Sequence, residues 1–148
     1  MNREVRLFTI GFTQKTAEEF FSTLRDSNIK TLIDTRINPN SQLSAFAKAN
    51  DLPFLLKEIC NIDYHYERLL APSKDLLSRF RKKVIDWDEY AYSYVGLLEE
   101  RNVPSALNTE LFRNGVLLCS EATPERCHRR LACEYLQQHW ERVSITHL

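Results

Sequence analysis

Between Cys119 and Arg130 the chain reads Cys-Ser-Glu-Ala-Thr-Pro-Glu-Arg-Cys-His-Arg-Arg, which gathers two thiols, an imidazole, two carboxylates and three guanidinium groups into twelve residues. A second polar pair, Asp34 and Arg36, ends the strand-like run Ile29–Arg36. Guanidinium groups grip phosphates and carboxylates in a bidentate fashion, and a helix N-terminus adds N–H donors and positive potential, so Arg36 and Arg129 suggest anion recognition. Asp34 or Glu121 could orient Arg36, orient His128 or act as a general base. The competing reading is an Arg–carboxylate network that simply ties strand ends together.

Helix periodicity refines the roles. At 100° per residue Leu131, Ala132, Tyr135 and Leu136 form an apolar face, and His128 stands in line with it one turn earlier. His128 is therefore expected to point under the helix towards the strand ends. There it serves either proton transfer or a structural bond to a backbone carbonyl or Asp34. Arg126, Arg129, Arg130 and the helix dipole favour a Cys127 thiolate, which opens nucleophilic or redox chemistry. Packing against a sheet is the alternative for Cys127. Cys119, Cys127 and His128 are zinc-ligand types, but their spacing lacks the paired-ligand pattern of structural zinc sites, so no metal is expected from it. Cys60 and Cys133 read as buried packing residues, and all four cysteines are expected as thiols.

Elements that could position these groups are legible along the chain. Val5–Ile10 alternates and stops at Gly11, reading as a strand. Thr16 and Glu19 have capping-box spacing ahead of Phe20, Phe21 and Leu24, and the helix they open closes at Asn28. Ile29–Arg36 is a second strand and Asn38–Ser41 a turn. Short helices are expected at 43–50 and 52–60, a short strand at Ile62–Tyr66, and a helical hairpin over 73–102 capped at Ser73 and Asp86. Residues 103–112 form an unassigned connector. Gly115–Ser120 is a buried strand, Thr123-Pro124 opens a helix to about His139, and Arg142–His147 is a last strand. The expected architecture is a single three-layer α/β domain over 1–148, with a mostly parallel central sheet, helices on both faces and the hairpin as an insertion. In such sheets ligands sit beyond the carboxyl ends of strands, where Asp34, Arg36, Cys119, Glu121 and Cys127–Arg129 all fall.

Composition narrows the function classes. Twenty Lys+Arg balance twenty Asp+Glu, which argues against extended nucleic-acid binding. The basic run Arg79, Arg81, Lys82 and Lys83 reads as a solvated helix face, and Tyr64, Tyr66, Trp87, Tyr90 and Tyr94 mostly as core. Only three glycines are present, too few for a phosphate-cradling Gly-rich loop. Apolar runs are too short to span a bilayer, and Met1–Arg6 carries no signal-peptide apolar region, so a cytoplasmic protein is expected.

At these residues the chain resembles the uncharacterised family named domain of unknown function 488. The likeness rests on Thr9-Ile10-Gly11, on Ile33-Asp34-Thr35-Arg36 with Pro39, and on Leu117-Leu118-Cys119-Ser120-Glu121 followed by Cys127-His128-Arg129. Many members carry His after that first glycine, where this chain has Phe12. The resemblance implies a compact α/β fold and a common pocket formed by Asp34, Arg36, Glu121, Cys127, His128 and Arg129. It implies no particular reaction or cofactor. The residues themselves lead to a small enzyme acting on an anionic, nucleotide-like ligand. The alternatives are a non-catalytic nucleotide or single-stranded nucleic-acid binding module, and an interaction scaffold whose polar rim is a structural lock.

Overall fold

The structure, a computed structural model, describes residues 4–148; Met1–Arg3, part of the stretch read for a signal peptide, lie outside the described residues. Five strands form one sheet in the order β3-β2-β4-β1-β5, with every neighbouring pair parallel. They are β1 (Val5–Gly11), β2 (Thr31–Asp34), β3 (Asp63–Tyr66), β4 (Gly115–Cys119) and β5 (Val143–His147). β4 lies at the centre and all five of its residues are buried, as expected of a strand covered on both faces.

Alternation along the strands supplies the two faces. Ile10, Leu32, Val116 and Leu118 pack with Phe20, Phe21 and Leu24 of α1 (Ala17–Asp26) and with Leu52 and Leu56 of α2 (Leu52–Cys60). Leu7, Ile33 and Leu117 point the other way. They pack with α3 (Lys74–Arg81), α4 (Trp87–Glu100) and α7 (His128–His139). The expected hairpin is thus α3 and α4, each opened by a side chain that accepts an N–H: Ser73 from Leu76 at 3.1 Å and Asp86 from Glu89 at 2.9 Å. Thr16 does the same for α1, accepting from Glu19 N at 3.1 Å. Among the described residues no helix is long and apolar enough to cross a membrane.

Three local expectations are corrected. Residues 42–47 form a 3₁₀ segment kinked at Ala45 rather than an α-helix, and the 103–112 connector contains two one-turn helices, α5 (Val103–Ala106) and α6 (Thr109–Phe112). β2 ends at Asp34, two residues before the expected Arg36; the last bond of its ladder with β4 runs from Thr35 N to Leu118 O at 3.1 Å. The last helix begins at His128 and not at Thr123-Pro124, so Ser120–Cys127 is a loop. Its carbonyls are used elsewhere: Ser120 O accepts from Thr13 N at 3.2 Å and from the Thr13 hydroxyl, and Glu121 O accepts from Arg129 Nη1 at 2.6 Å. Those tertiary bonds override the local Thr-Pro start signal.

Thr16→Ala should cost ~1 kcal/mol and Leu24→Ala about 2–5 kcal/mol, measured as midpoint shifts in urea with an unchanged slope. Equal losses in the two variants would contradict the division between an exposed cap and a packed face.

Candidate functional site

Asp34 and Arg36 are both buried and are spent on each other. Arg36 Nε and Nη2 donate to the two Asp34 carboxylate oxygens at 2.8 and 2.7 Å, with side-chain exposures of 4% and 0%. Tyr64 OH adds a third donor to Asp34 at 2.6 Å, and burial beside that carboxylate raises the Tyr64 pKa. The rest of the Arg36 fork donates to Ala47 O at 2.7 Å and Ser44 Oγ at 3.3 Å. A bidentate pair so completely satisfied is a clamp between β2 and the 42–47 segment. Asp34 makes no hydrogen bond to His128, and Arg36 reaches the cleft with most of its donors occupied.

His128 is held by a residue given no role in the sequence reading. Its Nε2 lies 2.9 Å from Thr35 O and 3.0 Å from Thr35 Oγ1. The Thr35 hydroxyl hydrogen is already donated to Leu118 O at 2.8 Å, so both Thr35 oxygens accept and Nε2 carries the proton. Nδ1 is left bare, with no hydrogen-bond partner among the described residues. Burial drives the His128 pKa down to about 4, with the Arg129 charge acting the same way against the Thr35 bond, so the imidazole is neutral at pH 7. Tyr94 meets the ring edge-on with centroids 5.6 Å apart. This is the carbonyl lock that the sequence allowed, with Thr35 as the partner instead of Asp34.

Arg129 is fully buried behind the two cysteines. Nη1 donates to Glu121 O at 2.6 Å and to Cys119 Sγ at 3.2 Å, with Cys127 Sγ at 3.9 Å, while Nε and Nη2 have no partner among the described residues. Burial lowers its pKa to about 10, which leaves it cationic near neutrality. Gly11 makes room for this arrangement. A β-carbon there would overlap Glu121 O and stand 2.7 Å from Arg129 Nη1. Cys119 and Cys127, expected as free thiols, have their sulfurs in disulfide contact, although their Cα atoms are 7.7 Å apart and a disulfide usually spans about 4.4–6.8 Å. Cys119, placed at a strand end by the sequence but given no catalytic or binding role, ends the central strand β4. Cys133 is buried as expected; Cys60 is half-buried and bonds Phe21 O.

A cleft of about 1190 Å³ opens over this corner, lined there by Phe12, Arg36, Glu121, Cys119, Cys127 and His128. Arg129 lies outside its wall. Phe12 places its ring 5.4 Å from the Arg36 guanidinium carbon, so an aromatic face covers that side of the Asp34–Arg36 pair. The opposite wall comes from the hairpin: Phe80, Trp87 and Tyr90 stack at 4.8–5.7 Å, and Tyr90 continues to Tyr94 at 6.4 Å. Arg81 and Lys83, assigned to a solvated face, also line the cleft.

These features define an all-parallel α/β protein with a strand-end cleft. The family described as Domain of unknown function DUF488 matches residues 16–136, and the chain belongs to that family. The matched span contains Asp34, Arg36, Cys119 and Cys127–Arg129. No curated protein and no solved structure matches the chain.

Two measurements probe the geometry. The folded state holds fewer protons on His128 than the unfolded chain between about pH 6.5 and 4, so stability is retained above that window and lost as pH falls through it, by up to about 3 kcal/mol. His128→Gln should flatten this part of the stability–pH curve, and an unchanged curve would contradict a buried neutral imidazole. Asp34→Asn should cost about 3–5 kcal/mol in urea titration by stranding the Arg36 charge; a loss under about 1 kcal/mol would show that the pair is not the clamp described.

Proposed function

We propose that the protein is a small cytosolic enzyme that acts on an anionic, nucleotide-like ligand in the strand-end cleft. The observation that carries this reading is the juxtaposition, across one open cleft, of an aromatic wall with a corner of two cysteines and a neutral histidine. An open cleft also weighs against an interaction scaffold with a filled rim.

The lining suits a ligand with two unlike ends. Trp87 offers a ring face for a base, with buried Tyr90 stacked behind it, and Asp86 and Asp88 beside them accept amino-group hydrogens. Arg126, on the loop before α7, faces the anionic end. Arg36 and Arg129 act on the ligand indirectly in this reading, by fixing the corner from behind. His128 contributes bare Nδ1 as an acceptor, and Cys127 is the nucleophile or ligand-contacting thiol. Glu121 is the remaining carboxylate near that corner and serves as the base where one is needed.

Arg81 and Lys83 beside the same aromatic wall support a second reading, a single-strand nucleic-acid module without turnover. Its affinity for an oligonucleotide should fall steeply with salt.

Thermal shift with AMP, adenosine and inorganic phosphate separates these. AMP at a hundred times its Kd should stabilise the protein by about 2.7 kcal/mol, a rise of several degrees in Tm. Adenosine and phosphate should do less, and Arg126→Ala should lose the AMP effect while keeping its ligand-free Tm. Product formation from a mononucleotide mixture, followed by mass spectrometry, should vanish in Cys127→Ser. No stabilisation by any of the three probes would overturn the ligand class, and binding without turnover would assign the module.

A further inference from the structure

The corner formed by Cys119, Cys127 and His128 has a chemistry that goes beyond the proposed ligand and does not depend on it. One ligand atom from each residue lies within 4.8 Å of the others, and all three residues are buried. Sequence spacing concealed this grouping. Cys119 closes β4, the Ser120–Cys127 loop folds back, and the last loop residue and the first residue of α7 arrive beside the strand end. We propose that, with its thiols reduced, this corner is a zinc site with three protein ligands and a fourth position open to the cleft; in the metal-bound protein Cys127 and His128 hold the cation instead of acting as free nucleophile and acceptor.

Four features support the assignment. Two thiolates and an imidazole are a donor set for a borderline-soft d¹⁰ cation, and three protein ligands with one vacant position characterise catalytic rather than structural zinc. Zinc–sulfur bonds of about 2.3 Å put two tetrahedral sulfurs about 3.8 Å apart. Cα atoms 7.7 Å apart are accommodated more readily by that sulfur–metal–sulfur bridge than by a direct bond. His128 has one nitrogen free for a metal: Nε2–H donates to the Thr35 carbonyl and hydroxyl oxygens, which fixes the tautomer and leaves Nδ1 bare.

The fourth feature is Arg129. It is fully buried, no described carboxylate lies within ion-pair distance although Glu121 acts on it from farther off, its Nε and Nη2 are unpartnered among the described residues, and its Nη1 donates to Cys119 Sγ at 3.2 Å. A guanidinium so placed needs an anion, which a thiolate provides and a neutral thiol or disulfide does not. Two thiolates, zinc and Arg129 together leave a single positive charge, which the nearby Glu121 carboxylate offsets, so the fourth position would take a water or an oxygen ligand from the cleft. The cation would there polarise a bound oxygen or lower the pKa of a bound water.

The test uses the full-length chain, reduced and stripped with a chelator. Co²⁺ should produce a thiolate-to-metal charge-transfer band with the strong visible absorption of a tetrahedral site, and one equivalent of Zn²⁺ should abolish it. Cys119→Ser and Cys127→Ser should each weaken zinc binding at least tenfold in competition with a chromogenic chelator. Thr35→Val, which contributes no ligand, should weaken it by about 10–100-fold with the far-ultraviolet circular dichroism unchanged. Zinc should raise the Tm of the wild type and not of the cysteine variants, and disulfide-oxidised protein should bind none. Absence of the charge-transfer band in reduced protein, or undiminished affinity in folded Cys127→Ser, would overturn the site. Failure of AMP to bind would leave these zinc readouts unaltered, so the two proposals fail separately.

Discussion

A guanidinium with none of its surface in water must be held by what surrounds it, and around Arg129 that is a carbonyl and two sulfurs. The Glu121 carbonyl can reach Arg129 only because Gly11 has no side chain in the way. The end of β1, the loop after β4 and the first turn of α7 are therefore locked by one buried cation. Moving any of them would expose the charge or strand it further, at a cost that burial makes steep. The curved path of the Ser120–Cys127 loop, and with it the meeting of Cys119 with Cys127, follows from this constraint.

The two motif arginines show how differently the same side chain can be used. Arg36 is paired bidentately with Asp34 and bonded twice more, which makes it a structural rivet below the cleft. Arg129 has donors left over and sulfur for a partner. Satisfied polar groups rigidify, whereas incompletely satisfied ones mark places where a fold carries a cost for something else. That contrast puts the unsatisfied donors at the α7 end of the corner and the rigid support at the β2 end.

Much of this was legible in the residues. Period-two strands, capped helices at Thr16, Ser73 and Asp86, and polar strand ends gave the layered sheet and the rim, because those signals are local. The start of α7 was misplaced because Thr123-Pro124 is a good local cap that loses to tertiary bonds from Thr13 and Arg129. Asp34 seemed available to His128 from its position alone, but nothing local reveals that Arg36 and Tyr64 consume its lone pairs. Thr35 passed unnoticed between two charged neighbours, since its contribution is two oxygens aimed by a strand end. The cysteine grouping, separated by a loop of seven residues, depends on that loop's fold-back rather than on spacing.

The rings of Trp87, Tyr90, Tyr94 and His128 form a continuous contact series from the cleft mouth to the imidazole. Close-packed aromatics transmit displacement because no void is available to absorb it. Entrance and corner are consequently one packed unit, so a displacement of Trp87 at the cleft reaches the imidazole through Tyr90 and Tyr94.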